Sequence, residues 1–284
     1  MIQDLGDKKL NNAYAQRIPN PEDRIFRFDN DKILVKALPE GRLLLPEAGE
    51  LGCPEAQYLF SIGEKRFFLE APVGSALSKG VSHEDLQIPE GFSFESVRNF
   101  RRLEIKELAF AAATAYHLYQ WYRDNQYCGR CGRPVKHGVR ERALCCPECG
   151  NIIYPKIAPA VIVALTDGDR ILLTRYNGRA YKRYALIAGF TEIGETAEET
   201  VAREVMEEVG LKVKNITYYK SQPWGTDSNL LLGFFCELDG SDGITMDEEE
   251  LSTAEWFHRG EMPEEDDGFS LTREMMAVFQ RGER

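Results

Sequence analysis

Between Gly189 and Leu211 the chain reads GFTEIGETAEETVAREVMEEVGL, and no other stretch constrains the fold as tightly. Ala197, Val201, Val205 and Val209 recur every four residues. That spacing predicts a helix from about Glu195 with one apolar stripe, and therefore a docked element. The same helix puts Glu204, Glu207 and Glu208 at i, i+3 and i+4 beside Arg203, so three carboxylates crowd one side of two turns. A solvated helix face is the commonest reason for such a run, since glutamate is a good helix former. Two features argue for more here. Docking gives the carboxylate side a fixed direction, and like charges at this spacing cost roughly a few tenths of a kcal/mol per pair unless something positive sits among them. A divalent cation answers that cost, because Mg²⁺ is held by carboxylates together with substrate phosphate.

A second constraint is YCGRCGRPVKHGVRERALCCPECGN, residues 127–151. Two C-x-x-C-G pairs, Cys128 with Cys131 and Cys146 with Cys149, supply four thiolates for a tetrahedral Zn²⁺ in the manner of a zinc ribbon. Choosing Cys146 over Cys145 keeps both pairs as C-x-x-C-G. Four closed ligands leave no open position, so the zinc is expected to be structural. Arg130, Arg133, Lys136, Arg140 and Arg142 raise the alternative of a nucleic-acid-binding ribbon, although basic residues around a metal knuckle are common without function. Cys53 and Cys236 stand alone and are expected to be buried small hydrophobes.

Around these motifs the chain divides into four parts. Residues 1–100 hold short apolar alternations, RIFRF, KILVKAL, QYLFSI and KRFFLE, broken by Gly and Pro, which predict a β-rich domain. An Ala-rich connecting helix is expected over 101–126, its Tyr and Trp residues serving packing, followed by the ribbon over 127–153. From 154 to 284, strands and helices interleave as a mixed α/β domain with helices flanking a sheet. The net charge of -11 argues against a broad basic surface for nucleic acid, though much of the acid is local, at 247–250 and 264–267. The first twenty residues lack the apolar core of a secretory signal, and no apolar run approaches the roughly 18 residues of a membrane helix. A cytoplasmic location away from membranes is the default expectation.

The opening stretch matches the Nudix box G-x5-E-x7-R-E-U-x-E-E-x-G-U, where U is a bulky aliphatic residue. Gly189, Glu195, Arg203, Glu204, Val205, Glu207, Glu208, Gly210 and Leu211 are all in place. The chain thus resembles the Nudix hydrolase superfamily, a match far more specific than a lone glycine motif. The ribbon, YPKIAP after it and SQPW at 221–224 narrow the resemblance to the NADH pyrophosphatase, or NAD diphosphatase, branch. The resemblance implies a Nudix α/β/α sandwich preceded by a zinc ribbon and a β-rich N-terminal domain. It implies hydrolysis of the diphosphate bond of NADH or NAD⁺ to AMP and nicotinamide mononucleotide with Mg²⁺ or Mn²⁺; removal of an NAD cap from RNA, which would use the same chemistry, is a competing reading.

By the same resemblance Glu204, Glu207 and Glu208 are metal ligands, and Glu250, six residues before Trp256, is a further one from the acidic loop; Glu248 and Glu249 are the adjacent alternatives, and a solvated acidic turn is the plain reading of all three. Glu195 and Arg203 shape the loop and helix, with Arg203 neutralising part of the cluster. Tyr154, Phe190 and Trp224 correspond to aromatics around a base, Gln222 to a hydrogen-bonding partner of the ligand, and the binding site to one shared by both subunits of a homodimer. One departure stands out. The family carries S-Q-P-W-P-F-P-x-S, whereas this chain reads SQPWGTDS, and Gly-Thr-Asp is freer than Pro-Phe-Pro and adds a charge. ADP-ribose, a nucleotide sugar or a dinucleoside polyphosphate is the alternative substrate, and a non-catalytic nucleotide sensor is the alternative class, against which the complete carboxylate set argues.

Overall fold

The computed structural model describes residues 1–52, 54–70, 88–178, 183–263 and 267–284; Cys53 and most of the acidic run at 264–267 lie outside them. Two compact units make up the chain. One comprises Gln3–Lys156 with Gly225–Ser228, and the other Met1–Ile2, Ile157–Trp224 and Asn229–Arg284.

In the first unit, β1 (Leu10–Asn11), β2 (Arg24–Phe26), β6 (Ala56–Ile62) and β7 (Lys65–Glu70) form one sheet in the order β1-β6-β7-β2. A second sheet joins β3 (Phe28–Asp29), β4 (Lys32–Ala37), β5 (Leu43–Leu44) and β8 (Phe92–Ser96). The apolar alternations thus become strands, and Phe26, Leu34, Phe60, Phe67 and Phe68 are buried. Helix α1 occupies Lys106–Asp124, preceded by a 3-10 turn at Val97–Arg102. Its alanines are buried, and Tyr116 and Tyr119 lie 5.3 and 5.0 Å from the Phe28 ring, so its aromatics serve packing. The ribbon follows as three two-residue strands, β9 (Lys136–His137), β10 (Leu144–Cys145) and β11 (Ile152–Ile153), in the order β11-β10-β9.

The second unit is an α/β/α sandwich. Its sheet runs β15 (Val213–Trp224), β16 (Asn229–Leu238), β12 (Ala158–Asp167), β13 (Arg170–Tyr176), β17 (Leu251–His258), with β14 (Ile187–Phe190) also paired to β12. Strand β12 is parallel to β16 and antiparallel to β13 and β14. Its unbroken apolar run, APAVIVAL, is explained by burial on both faces. Val161, Val163 and Leu165 pack with Val201, Val205 and Val209 of α2 (Ala197–Val209). Ile162 and Ala164 face the other way, onto Leu271, Met275 and Phe279 of α3 (Leu271–Gln280). Cys236 belongs to the α2-side core, and burial pushes its thiol up to about 12, which removes it as a nucleophile. Among the described residues no helix is long and apolar enough to cross a membrane.

Candidate functional site

Helix α2 starts at a reciprocal cap. The Thr196 hydroxyl accepts from the Glu199 amide at 3.2 Å, and the Glu199 carboxylate accepts from the Thr196 amide at 2.8 Å. The signal T-x-x-E at 196–199 marks this start in the sequence, and the helix begins at Ala197, two residues later than the expected Glu195. Gly210, in the left-handed region at φ 70°, ends the helix.

Within it Arg203 is the hub. Its Nε and Nη2 grip both oxygens of Glu195 at 2.6 and 2.9 Å, Nη2 also donates to the Phe190 carbonyl at 2.9 Å, and Nη1 donates to Glu204 and Glu207 at 2.8 Å each. One guanidinium therefore fixes the loop and two carboxylates together. Arg203, joined by the Glu192 amide, holds the Glu195 carboxyl down to about 2. Glu204 is different: burial raises its carboxyl above the usual range despite Arg203, and the charges of Glu207 and Glu250 push it further.

Glu204 has room only because residue 189 is glycine. Gly189 pairs with Val161 on the α2 face of the sheet, so a Cβ there projects toward α2. It would sit 1.8 Å from the Glu204 carboxyl carbon and about 2 Å from both oxygens, at 2.0 and 2.1 Å. Glu208 is buried, whereas Glu207 is exposed beyond its Arg203 contact. The acidic loop reaches the same end of the helix: the Asp247 amide donates to the Glu208 carbonyl and the Thr245 amide to the Val209 carbonyl, both at 2.9 Å. An Asn177 amide bond to the Glu250 carbonyl, 2.7 Å, holds the loop's far side. Glu250 thus enters the electrostatic neighbourhood of Glu204. This oxygen-only donor set, with a glycine cradle behind Glu204, suits a hard divalent cation. Its carboxylates do not converge tightly with Arg203 among them.

The sulfurs do converge. Sγ atoms of Cys128, Cys131, Cys146 and Cys149 all lie within 4.8 Å of one another, and among the described residues no other group of three or more His, Cys, Asp or Glu side chains does so. The two knuckles are built alike. The Cys128 amide donates to the Arg133 carbonyl and the Gly132 amide to the Cys128 carbonyl, while Cys146 bonds Asn151 and Gly150 in the same pattern. Gly132 and Gly150 share positive φ of 71° and 70°. Cys145 lies on β10, outside the set. The group fits a four-thiolate zinc.

The remaining expected residues are spread out. Gln222, Leu231, Ala160 and Phe190 fall in one cross-strand row on the α3 face, which sets Gln222 and Phe190 about 14 Å apart at the usual strand spacing. The carboxylates belong to the opposite face. Gln222 is fully buried, its Nε2 donating to the Phe269 carbonyl at 2.8 Å and its Oε1 accepting from the Leu271 amide at 2.7 Å. Its amide is thus engaged at the start of α3. Trp224 ends β15, Phe190 is exposed, and Tyr154, in the first unit, is exposed with its hydroxyl donating to Glu141 at 2.9 Å.

Residues 156–279 match the NUDIX domain family and 123–154 the NADH pyrophosphatase zinc ribbon domain. The chain is 35% identical over 224 residues to the NAD-capped RNA hydrolase NudC of Escherichia coli O1:K1 / APEC, covering 79% of this chain and 84% of that protein. It is 41% identical over 152 residues to the protein of the same name from Photorhabdus laumondii, covering 54% of this chain. That match spans only 59% of the relative's length. A NUDIX hydrolase structure from Nitrosomonas europaea superposes on 55% of this chain and 90% of its own, with a TM-score of 0.47 and 23% identity.

Proposed function

Because the chain belongs to the Nudix family, in its branch with an NADH pyrophosphatase zinc ribbon, we propose that it hydrolyses the diphosphate bond of NADH or NAD⁺ to AMP and nicotinamide mononucleotide. The observation that carries this reading is the Arg203 hub, which holds Glu195, Glu204 and Glu207 in one constellation over the Gly189 cradle.

In this reading Glu204, Glu207 and Glu208 hold Mg²⁺ or Mn²⁺, with Glu250 brought in by the acidic loop. Such a cation supplies charge neutralisation at the diphosphate and lowers the pKa of water in its reach. Arg203 keeps two of the carboxylates aimed and the Phe190 carbonyl tied to the helix, so the loop and the metal-binding side move as one body. Burial makes the charged form of Glu204 costly, and a cation offsets that cost, which ties its ionisation to metal loading. Phe190, Trp224 and Tyr154 stack on the planar ends of the dinucleotide.

Structural zinc in the four-cysteine set keeps the ribbon folded, and its need for thiolates favours a reducing, cytoplasmic setting. A homodimer completes the site in the family, and we extend that to this chain. Removal of the NAD cap from RNA is a second substrate reading, favoured by relatives named NAD-capped RNA hydrolase. The test is a panel of NADH, NAD⁺, diadenosine diphosphate, ADP-ribose and NAD-capped RNA with Mg²⁺ or Mn²⁺. Preferential cleavage of ADP-ribose, with both dinucleotides intact, overturns the substrate assignment and leaves only Nudix chemistry.

A further inference from the structure

The departure from Pro-Phe-Pro at 225–227 has a structural counterpart. Gly225–Ser228 count with the first unit, although the residues on either side count with the second. Within that first unit the segment packs on α1. A Cβ at Gly225 would lie 2.0 Å from the Ala113 carbonyl oxygen and 2.6 Å from its carbonyl carbon. Both are helix backbone atoms, which cannot swing aside as a side chain can. The Ser228 hydroxyl donates to Gln120 Oε1 at 3.3 Å, and Arg98 pairs with Asp227 at 3.6 Å. Ser228 itself adopts φ 59°, a left-handed conformation that only a held segment keeps in a serine.

We infer that Gly225 is a positioning residue: by letting this segment dock against the Ala113 carbonyl of α1, it fixes Trp224, one peptide bond away, and so sets the affinity for the planar end of the substrate. Proline stiffness and glycine docking are two routes to the same end. A proline fixes φ locally. Here Gly225 lacks that local restraint, and close approach to the Ala113 carbonyl holds it instead. The inference rests on the reading of Trp224 as a ring-stacking residue.

KM and kcat for NADH hydrolysis are compared in wild type, Gly225→Ala, Gly225→Pro, Trp224→Ala and the double variant Gly225→Ala/Trp224→Ala, with zinc content and circular dichroism as controls on folding. Gly225→Ala and Gly225→Pro are each expected to raise KM about ten-fold, the low end for a lost stacking contact, while kcat and the metal requirement stay near wild type. The double variant should be no worse than Trp224→Ala alone, because the two act through one contact. Gly225→Pro is the sharper arm: if Gly225 merely loosens the loop, restoring proline would hold or lower KM. Should the Gly225 variants fail to fold, Gln120→Ala removes only the Ser228 bond, and a KM raised two- to three-fold is expected, roughly what one weak hydrogen bond contributes. A raised KM in Trp224→Ala with unchanged KM in the Gly225 variants, or in Gln120→Ala if they do not fold, overturns the inference alone. An unchanged KM in Trp224→Ala overturns the stacking reading beneath it, and the inference with it.

Discussion

Gly189→Ala is the smallest change that reaches the carboxylate cluster. Gly189 is not among the residues with positive φ, so alanine suits the backbone and the effect is purely steric. The added methyl would meet the Glu204 carboxyl carbon at 1.8 Å, against a comfortable carbon contact of about 3.5–4.0 Å. The carboxylate must therefore retreat by roughly 1.7 Å or more. Misplacing a reacting group by about 1 Å costs on the order of 100-fold, so kcat should fall at least that far. Steady-state NADH hydrolysis over a Mn²⁺ titration reads the effect, with thermal unfolding and zinc content run beside it. Because the clash is with a movable side chain at the edge of the core, the fold should survive. A folded Gly189→Ala protein within about three-fold of the wild-type rate would refute the cradle, since so small a loss leaves no room for a displacement of that size.

Glu207→Gln keeps side-chain shape while removing a charge, and turnover should drop by orders of magnitude with an unchanged circular dichroism spectrum; near wild-type rates at saturating Mg²⁺ would return Glu207 to the solvated surface. Cys146→Ser should lose zinc and stability by elemental analysis and thermal melting, whereas Cys145→Ser should keep both; the reverse pattern would reassign the ligand. Glu274 on α3 accepts from the Tyr219 hydroxyl at 2.9 Å and pairs with Lys220 and the amino group of Met1. Burial pushes its carboxyl up, but Lys220 and Tyr219 outweigh it and hold the carboxyl below the usual range. A depressed carboxyl stabilises the fold above its unfolded pKa and loses that contribution as pH falls through the folded value. Glu274→Gln should therefore lower the melting temperature at neutral pH, and the gap from wild type should close in acid; a gap independent of pH would place the effect in packing.

The elements written in local spacing were legible in the sequence. The α2 stripe, its carboxylates and the two C-x-x-C-G knuckles depend on residues a few positions apart, and helix periodicity or metal geometry reads them directly. The Cys146 choice, argued from symmetry of spacing, meets the same symmetry in the backbone bonds of the two knuckles. Contacts made across long separations were not legible. Gln222 sits in SQPW beside candidate ligand groups, yet Phe269 and Leu271, almost fifty positions later, take up its amide. Gly225 looks like a loosened loop until the Ala113 carbonyl appears beside it. Glu250 could be counted from Trp256, but only the Asp247 and Thr245 bonds to the end of α2 explain why its charge reaches Glu204.

Mass analysis of the products formed from NADH in heavy-oxygen water tests most directly whether this chain directs water onto a diphosphate phosphorus. Two mononucleotides should appear, AMP and the reduced nicotinamide mononucleotide, with one heavy oxygen on the phosphate of one of them. Intact NADH, or release of nicotinamide with an ADP-ribose fragment whose phosphates carry no label, would contradict it.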